Sequence, residues 1–157
     1  MSPDDGVERP SGVRLILHFP ATSRDLAFRA RAFHANDGTS GEELWASDGS
    51  DAGTQRVKDI NPGAGSSNPL SLTNVNGTLF FRASDGINGY ELWKSDGSAA
   101  GTAMVKDIRP GSGDAYIRSL TAFNSTLFFV ADDGIHGEEL WTSDGTAAGT
   151  NLLSDIR

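Results

Sequence analysis

Acidic and amide side chains recur in short Asp-Gly turns and are the first candidates for chemistry. These turns return at 48-residue intervals, and the residues concerned are Asp37, Asp85, Asn88 and Asp133. Ca²⁺ requires several oxygen atoms grouped on one loop, so these residues form a candidate calcium site. The same residues also suit a plain tight turn, because aspartate accepts bonds from neighbouring backbone N–H groups and glycine supplies a positive φ. The loops lack the spaced acidic ladder of a known calcium loop, which favours the turn.

No residue pattern typical of a catalytic site is found. The chain has three histidines and no cysteine. It contains neither a Gly-x-Ser-x-Gly nucleophile motif nor a His-Glu-x-x-His zinc motif. The Gly-x-Gly triplets at 63–65 and 111–113 lack the following helix that a phosphate-binding loop needs. We therefore predict no catalytic residue, no cofactor other than the calcium just considered, and no enzyme activity.

A longer repeat surrounds these turns. The stretch Glu-Leu-Trp-x-Ser-Asp-Gly, closed by Gly-Thr, is found three times, and its tryptophans are 48 residues apart. The residues that return in every copy are Trp45, Trp93, Trp141, Asp48, Asp96, Asp144, Glu43, Glu91 and Glu139. A fixed period of about 20–50 residues is typical of solenoids, propellers and other arrays.

Each repeated residue type has a structural and a functional interpretation. The tryptophans could be a ring of sugar-stacking platforms, but we predict one buried packing residue per repeat, because aromatic side chains dominate core energetics. The glutamates are expected to bind backbone N–H groups of the next repeat rather than to act as acids or bases. Lys58 and Lys106 each precede an aspartate on a strand, and the third copy has Ser154 there, so no role is predicted for the lysines.

The middle copy indicates four short strands, at 69–75, 78–83, 91–95 and 102–108, with a hairpin turn at Asn76-Gly77. Glycine density and the lack of a helical apolar period exclude helices. We predict an all-β chain of four-stranded antiparallel meanders, each being one β-propeller blade. The expected organisation is a flexible segment at 1–12, then blade 1 at 13–60 with a degenerate N-terminal half, blade 2 at 61–108 and blade 3 at 109–157.

Three blades are fewer than the about four to eight of a closed propeller. The open faces of the outer blades should therefore find a partner. We expect a homodimer that closes a ring of six blades. The head of the chain is the least repeat-like part, with strands proposed between residues 13 and 33.

Composition narrows the range of partners. A net charge of −8 and a pI near 4.7 argue against nucleic acid, because phosphate contacts need clustered basic residues. No segment reaches the about 18 apolar residues of a membrane span. No export signal is recognised, so the location of the protein is left open.

The motifs Glu-Leu-Trp-x-Ser-Asp-Gly-Ser/Thr-x-Ala-Gly-Thr and Val-Lys-Asp-Ile-x-Pro-Gly resemble those of the ELWxxDGT repeat family, over about Phe33 to Arg157. These bacterial repeats, sometimes labelled hyalin-like, are often part of secreted or surface proteins. The resemblance implies a β-propeller-like module and implies no activity.

Three hypotheses for function follow. The first is a non-catalytic module that binds or scaffolds a protein or glycan and assembles with itself. The second is a lectin with repeated weak glycan sites between blades, whose avidity exceeds each single affinity. The third is a hydrolase-type propeller, which would need paired carboxylates with separated pKa values. A further possibility is that the chain is a fragment, natural or engineered, chosen to test how blades assemble.

Overall fold

A computed structural model describes residues 31–156. The segment predicted to be flexible at 1–12 and the strands predicted before residue 31 lie outside that range. The described strands are β1 (Arg31–Asn36), β2 (Glu42–Ser47), β3 (Gln55–Lys58), β4 (Leu70–Val75), β5 (Thr78–Ser84), β6 (Tyr90–Ser95), β7 (Ala103–Lys106), β8 (Arg118–Phe123), β9 (Thr126–Asp132), β10 (Glu138–Ser143) and β11 (Asn151–Ser154). These residues contain no helix, as predicted, and so none that could cross a membrane.

The strands form three antiparallel sheets, and in each sheet neighbours in space are neighbours in sequence. The first sheet contains β1–β3, the second β4–β7 and the third β8–β11. The second sheet is the four-stranded meander predicted from the middle copy of the repeat. Its strands begin and end within two residues of the predicted bounds.

Turn chemistry fixes the hairpins. Asn76 and Gly77 join β4 to β5 with φ values of 50° and 87°, and Val75 pairs with Thr78 across the turn. Asparagine and glycine tolerate this left-handed region, which matches the twist of the flanking strands. The predicted hairpin is confirmed.

The same irregularity returns beside each tryptophan. In the second sheet Leu92 pairs with Lys106, but Trp93 pairs with Met104, so one residue of β7 is skipped. The first and third sheets skip a residue at the equivalent place. Such bulges bend a strand and raise its local twist. The sequence repeat therefore extends to fine detail of the backbone.

Each sheet has two different faces. The tryptophan face carries the repeated tryptophan, and the opposite side is here called the distal face. The tryptophan face of the third sheet carries Leu127, Phe129, Ala131 and Trp141. The distal face of the second sheet carries Val75, Phe80, Leu92, Val105 and Ile108. These two sets pack together in one apolar cluster, in which no side chain is more than 6% exposed. An equivalent cluster joins the distal face of the first sheet to the tryptophan face of the second. Within residues 31–156 the apolar core lies mainly in these two junctions, and Phe33 and Ala35, on the tryptophan face of the first sheet, are buried outside them.

Within the described part of the chain, the third sheet is covered on one face only. Along β9 buried residues alternate with half-buried ones, whereas β5 has three consecutive buried residues at Leu79–Phe81. Alternation is what a sheet shows when one side packs on a core and the other is not covered. Among the described residues, nothing packs on the distal face of the third sheet in the way that the third sheet packs on the second.

Candidate functional site

The aspartates of the candidate calcium loops bind their own backbone. The carboxylate of Asp85 accepts bonds from the N–H groups of Ile87 and Asn88 at 2.9 and 2.8 Å, and the Asn88 side-chain amide donates to it at 2.7 Å. Asp133 accepts equivalent bonds from Ile135 and His136. The glycine after each of these aspartates has a φ of 82°. Turn chemistry accounts for both residues of each Asp-Gly pair.

These bonds keep the carboxylates ionised. Partial burial acts to raise the pKa of Asp133, but hydrogen bonds from His136 and Ile135 outweigh it and hold that pKa at about 2. In Asp37, N–H bonds from Thr39 and Ser40 likewise lower the pKa. A carboxylate that already accepts two backbone bonds has fewer lone pairs to offer to a cation.

The loops of Asp37, Asp85 and Asp133 each belong to a different sheet, between β1 and β2, β5 and β6, and β9 and β10. Within residues 31–156 no group of three acidic, histidine or cysteine side chains could hold a metal together. Calcium would therefore have to bind each loop singly. If it does so, excess calcium raises the melting temperature above that in EDTA, and equal melting temperatures would refute the calcium hypothesis.

The second set of aspartates closes a different loop. Asp96 accepts bonds from the backbone N–H and the hydroxyl of Ser98, at 2.8 and 2.7 Å. Asp48 and Asp144 have the same two partners in Ser50 and Thr146. A β-carbon placed on Gly101 would overlap the Asp96 carboxyl group. The aspartate therefore leaves no room for a larger residue than glycine at the position five residues after it.

The repeated glutamates lie where the chain leaves each sheet. Glu91 accepts bonds from the N–H groups of Ile108 and Arg109 at 2.8 and 3.2 Å, and Glu139 accepts one from Ile156 at 3.0 Å. Glu43 has the equivalent two bonds from Ile60 and Asn61. Of these three glutamates, only Glu43 also bonds the segment that leads into β4. The N–H and hydroxyl of Ser67 in that segment donate to it at 3.1 and 2.7 Å. Apart from the Ser67 hydroxyl, the partners are backbone N–H groups, as expected. Those of Asn61, Ser67 and Arg109 belong to the repeat that follows the glutamate. Those of Ile60, Ile108 and Ile156 belong to its own repeat.

Glu43 and Glu91 differ in their hydrogen bonds because one residue differs between the repeats. Ala115 stands 48 residues after Ser67, at the equivalent position of the next repeat, so no hydroxyl reaches Glu91. Burial raises the pKa of Glu91 to about 8, against the opposing effect of its two backbone bonds. Burial raises the pKa of Glu43 too, but the Ser67 hydroxyl counteracts it. Both side chains are fully buried, so neither can exchange a proton with a substrate.

Lysines that cross between sheets are the functional residues missed by the sequence analysis. The Nζ atoms of Lys58 and Lys106 each donate at 2.7 Å to a backbone carbonyl of the following sheet, on Thr102 and Thr150 respectively. Lys94 does the same to Gly145 at 2.7 Å. The absence of a predicted role for Lys58 and Lys106 was wrong. The sequence did contain a signal for these bonds, because Lys58 is followed by Lys106 after one 48-residue period.

Replacing Lys106 by methionine keeps the apolar stem and removes the donor. Thr150 is fully buried, so its carbonyl would lose a charged partner without gaining water. We expect Lys106→Met to lower the free energy of unfolding by about 1.5–3 kcal/mol, measured by urea denaturation. Lys106→Arg, which keeps a charged donor, should lose less; a methionine variant as stable as the parent would contradict the bond's importance.

Two of the three tryptophans pack at the junctions between sheets that residues 31–156 form. Trp93 and Trp141 are only 6% and 5% exposed. The Trp141 ring lies 6.4 Å from that of Phe129, and the Lys106 ammonium is 5.7 Å from its centroid. A sugar-stacking ring must be open on one side, so these two cannot stack on a glycan. Trp45 is more exposed than either.

The repeated side chains therefore act on backbone groups and on one another. Comparison of the chain with protein-family models, curated proteins and solved structures found no match.

Proposed function

We propose that the chain is a non-catalytic repeat module of the β-propeller type, which binds or scaffolds other molecules and assembles with itself into a homodimer. Each sheet is then one blade. The contacts between sheets support this arrangement, since the first strands β4 and β8 contact each other more extensively than other strands of different sheets do. Close approach of the first strands is expected around a central axis.

The observation that carries the non-catalytic part is the use of the repeat's carboxylates. In every repeat the aspartates hold turns and the glutamate holds the exit from the sheet. The positions that recur with the period are thereby committed to structure, and variable loop residues are left to face partners. The resemblance to ELWxxDGT repeats agrees with a role as a presenting surface.

The test is a panel of chromogenic esters, glycosides and phosphates, assayed with the purified parent. We expect no turnover. Turnover that follows the folded chain through a second, independent purification step would establish an enzyme and refute the non-catalytic role. A glycan array in parallel examines the lectin alternative: a blank array at high protein concentration would refute it, and bound glycans would name the ligand class.

A further inference from the structure

The distal face of the third sheet exposes large apolar side chains that are buried at the equivalent positions of the second sheet. Phe123, Leu153 and Ile156 are 65%, 54% and 72% exposed. Their counterparts Val75, Val105 and Ile108 are 6%, 6% and 4% exposed, because the tryptophan face of the third sheet covers them. Phe128 and Leu140 of this face are half-buried, whereas Phe80 and Leu92 are fully buried. The third sheet thus presents half of a junction that the chain already builds twice.

The matching half lies on the first sheet, whose tryptophan face is open only in part. Phe33 and Ala35 of that face are buried, at 8% and 7% exposure, but their counterparts Phe129 and Ala131 are at 1% and 0%. Trp45 is more exposed than Trp93 and Trp141. Beside it the hydroxyls of Ser47 and Thr54 bond each other on the surface at 2.6 Å. The equivalent bond between Ser95 and Thr102, at 2.7 Å, is buried in the junction of the first and second sheets. The first sheet thus exposes hydroxyls that the internal junction buries, and the third sheet exposes apolar side chains that the internal junction buries. Two halves of a junction that have not joined would leave these groups exposed.

We propose that the distal face of the third sheet docks on the tryptophan face of the first sheet of a second copy of this chain. The inference rests on the proposed self-association and names its surfaces. A two-fold axis makes this contact twice, so two chains join the six sheets that their described residues form and cover the exposed parts of both faces. The contact buries Phe123, Leu153 and Ile156 as the internal junction buries their counterparts.

This junction differs from the internal ones in its polar contacts. Thr142 and Ser154 stand where the second sheet has Lys94 and Lys106, so no lysine crosses from the third sheet. The contact between chains is therefore held by apolar burial, without the bonds to backbone carbonyls. It should be weaker than the internal junctions, and the dimer should dissociate on dilution.

Light scattering on a sizing column, repeated over a dilution series, tests the proposal with four proteins. The parent is expected at twice the chain mass of 16.6 kDa. Leu153→Asp places a charge in the apolar contact and should weaken dimerisation by about tenfold or more. Ile87→Asp is the matched control, because Ile87 is 73% exposed in the β5–β6 loop, away from this face, and its variant should stay dimeric.

Ser154→Lys separates this contact from other dimers. It restores the lysine that the second sheet uses and aims it at the carbonyl of the partner's residue 54, so the dissociation constant should fall by about tenfold. If the distal face instead met its own copy, two new like charges would weaken the dimer. That weakening, or a dimer insensitive to both substitutions, would overturn the docking surface and leave self-association standing. A parent that is monomeric at every concentration would overturn both the docking surface and the self-association. The non-catalytic role would be unaffected, because the substrate panel tests it separately.

Discussion

Between about pH 5 and pH 9 the chain is expected to lose stability as the pH rises, and Glu91 is the main cause. Its pKa is raised by burial to about 8, against an ordinary value of 4.5. A raised pKa means that the folded chain holds a proton which the unfolded chain releases. The stabilisation is therefore complete below about pH 4.5 and is lost as the pH rises through about 8. Since one pKa unit corresponds to about 1.4 kcal/mol, the urea midpoint should fall clearly over this window.

Two variants identify the carboxyl group responsible. Glu91→Gln cannot ionise, so its stability should change less with pH, with a smaller slope left by Glu43, whose pKa is raised as well. Ala115→Ser supplies the hydroxyl that Ser67 gives to Glu43, and should make the chain more stable at about pH 9 than the parent. Glu139→Gln is the control at the third equivalent position. Parallel pH profiles for the parent and Glu91→Gln would show that Glu91 does not cause the loss.

Trp93→Ala is expected to destabilise the chain by about 3–5 kcal/mol, because it leaves a cavity in the junction between the first and second sheets. Trp93 is 6% exposed and packs in the same cluster as Phe81 and Ile60. Side chains fixed on two sheets cannot collapse into the space without moving one sheet against the other. Urea denaturation followed by circular dichroism measures the loss.

Trp45→Ala is the matched control, because Trp45 has the same place in its repeat but is less buried. Its loss should be clearly smaller than that of Trp93→Ala. Equal losses at the two positions would mean that the ring contributes through its own sheet and not through the junction.

The strands and turns could be predicted from the sequence because their signals are local. Alternation over a few residues and the Asn76-Gly77 pair placed β4 and β5 nearly as the structure has them. The aspartate turns follow from the same chemistry, since the donor N–H lies two or three residues away. The all-β class needed only these short-range patterns.

The junctions between sheets could not be predicted in the same way. The lysines there bond backbone carbonyls that lie far away in sequence, and no side-chain type marks such a carbonyl. Lys58 binds a carbonyl 44 residues along the chain, and every residue has such a carbonyl. The contrast between Glu43 and Glu91 depends on Ser67 and Ala115, which matter only once the linker folds back over the sheet. Distances across a junction are set by how two sheets pack, and a pattern within one repeat does not contain them.

Main-chain acceptors at the junctions have a consequence for how such a chain can grow. Because Lys58 and Lys106 recognise carbonyl oxygens, a sheet accepts its neighbour without requiring a particular side chain in return. A 48-residue unit duplicated in tandem would meet both neighbours through bonds that already fit. Stability would then change by nearest-neighbour steps, as in other repeat arrays. A unit that carries the crossing lysine, as the first two do, could thus be added by gene duplication without a new pair of matching side chains.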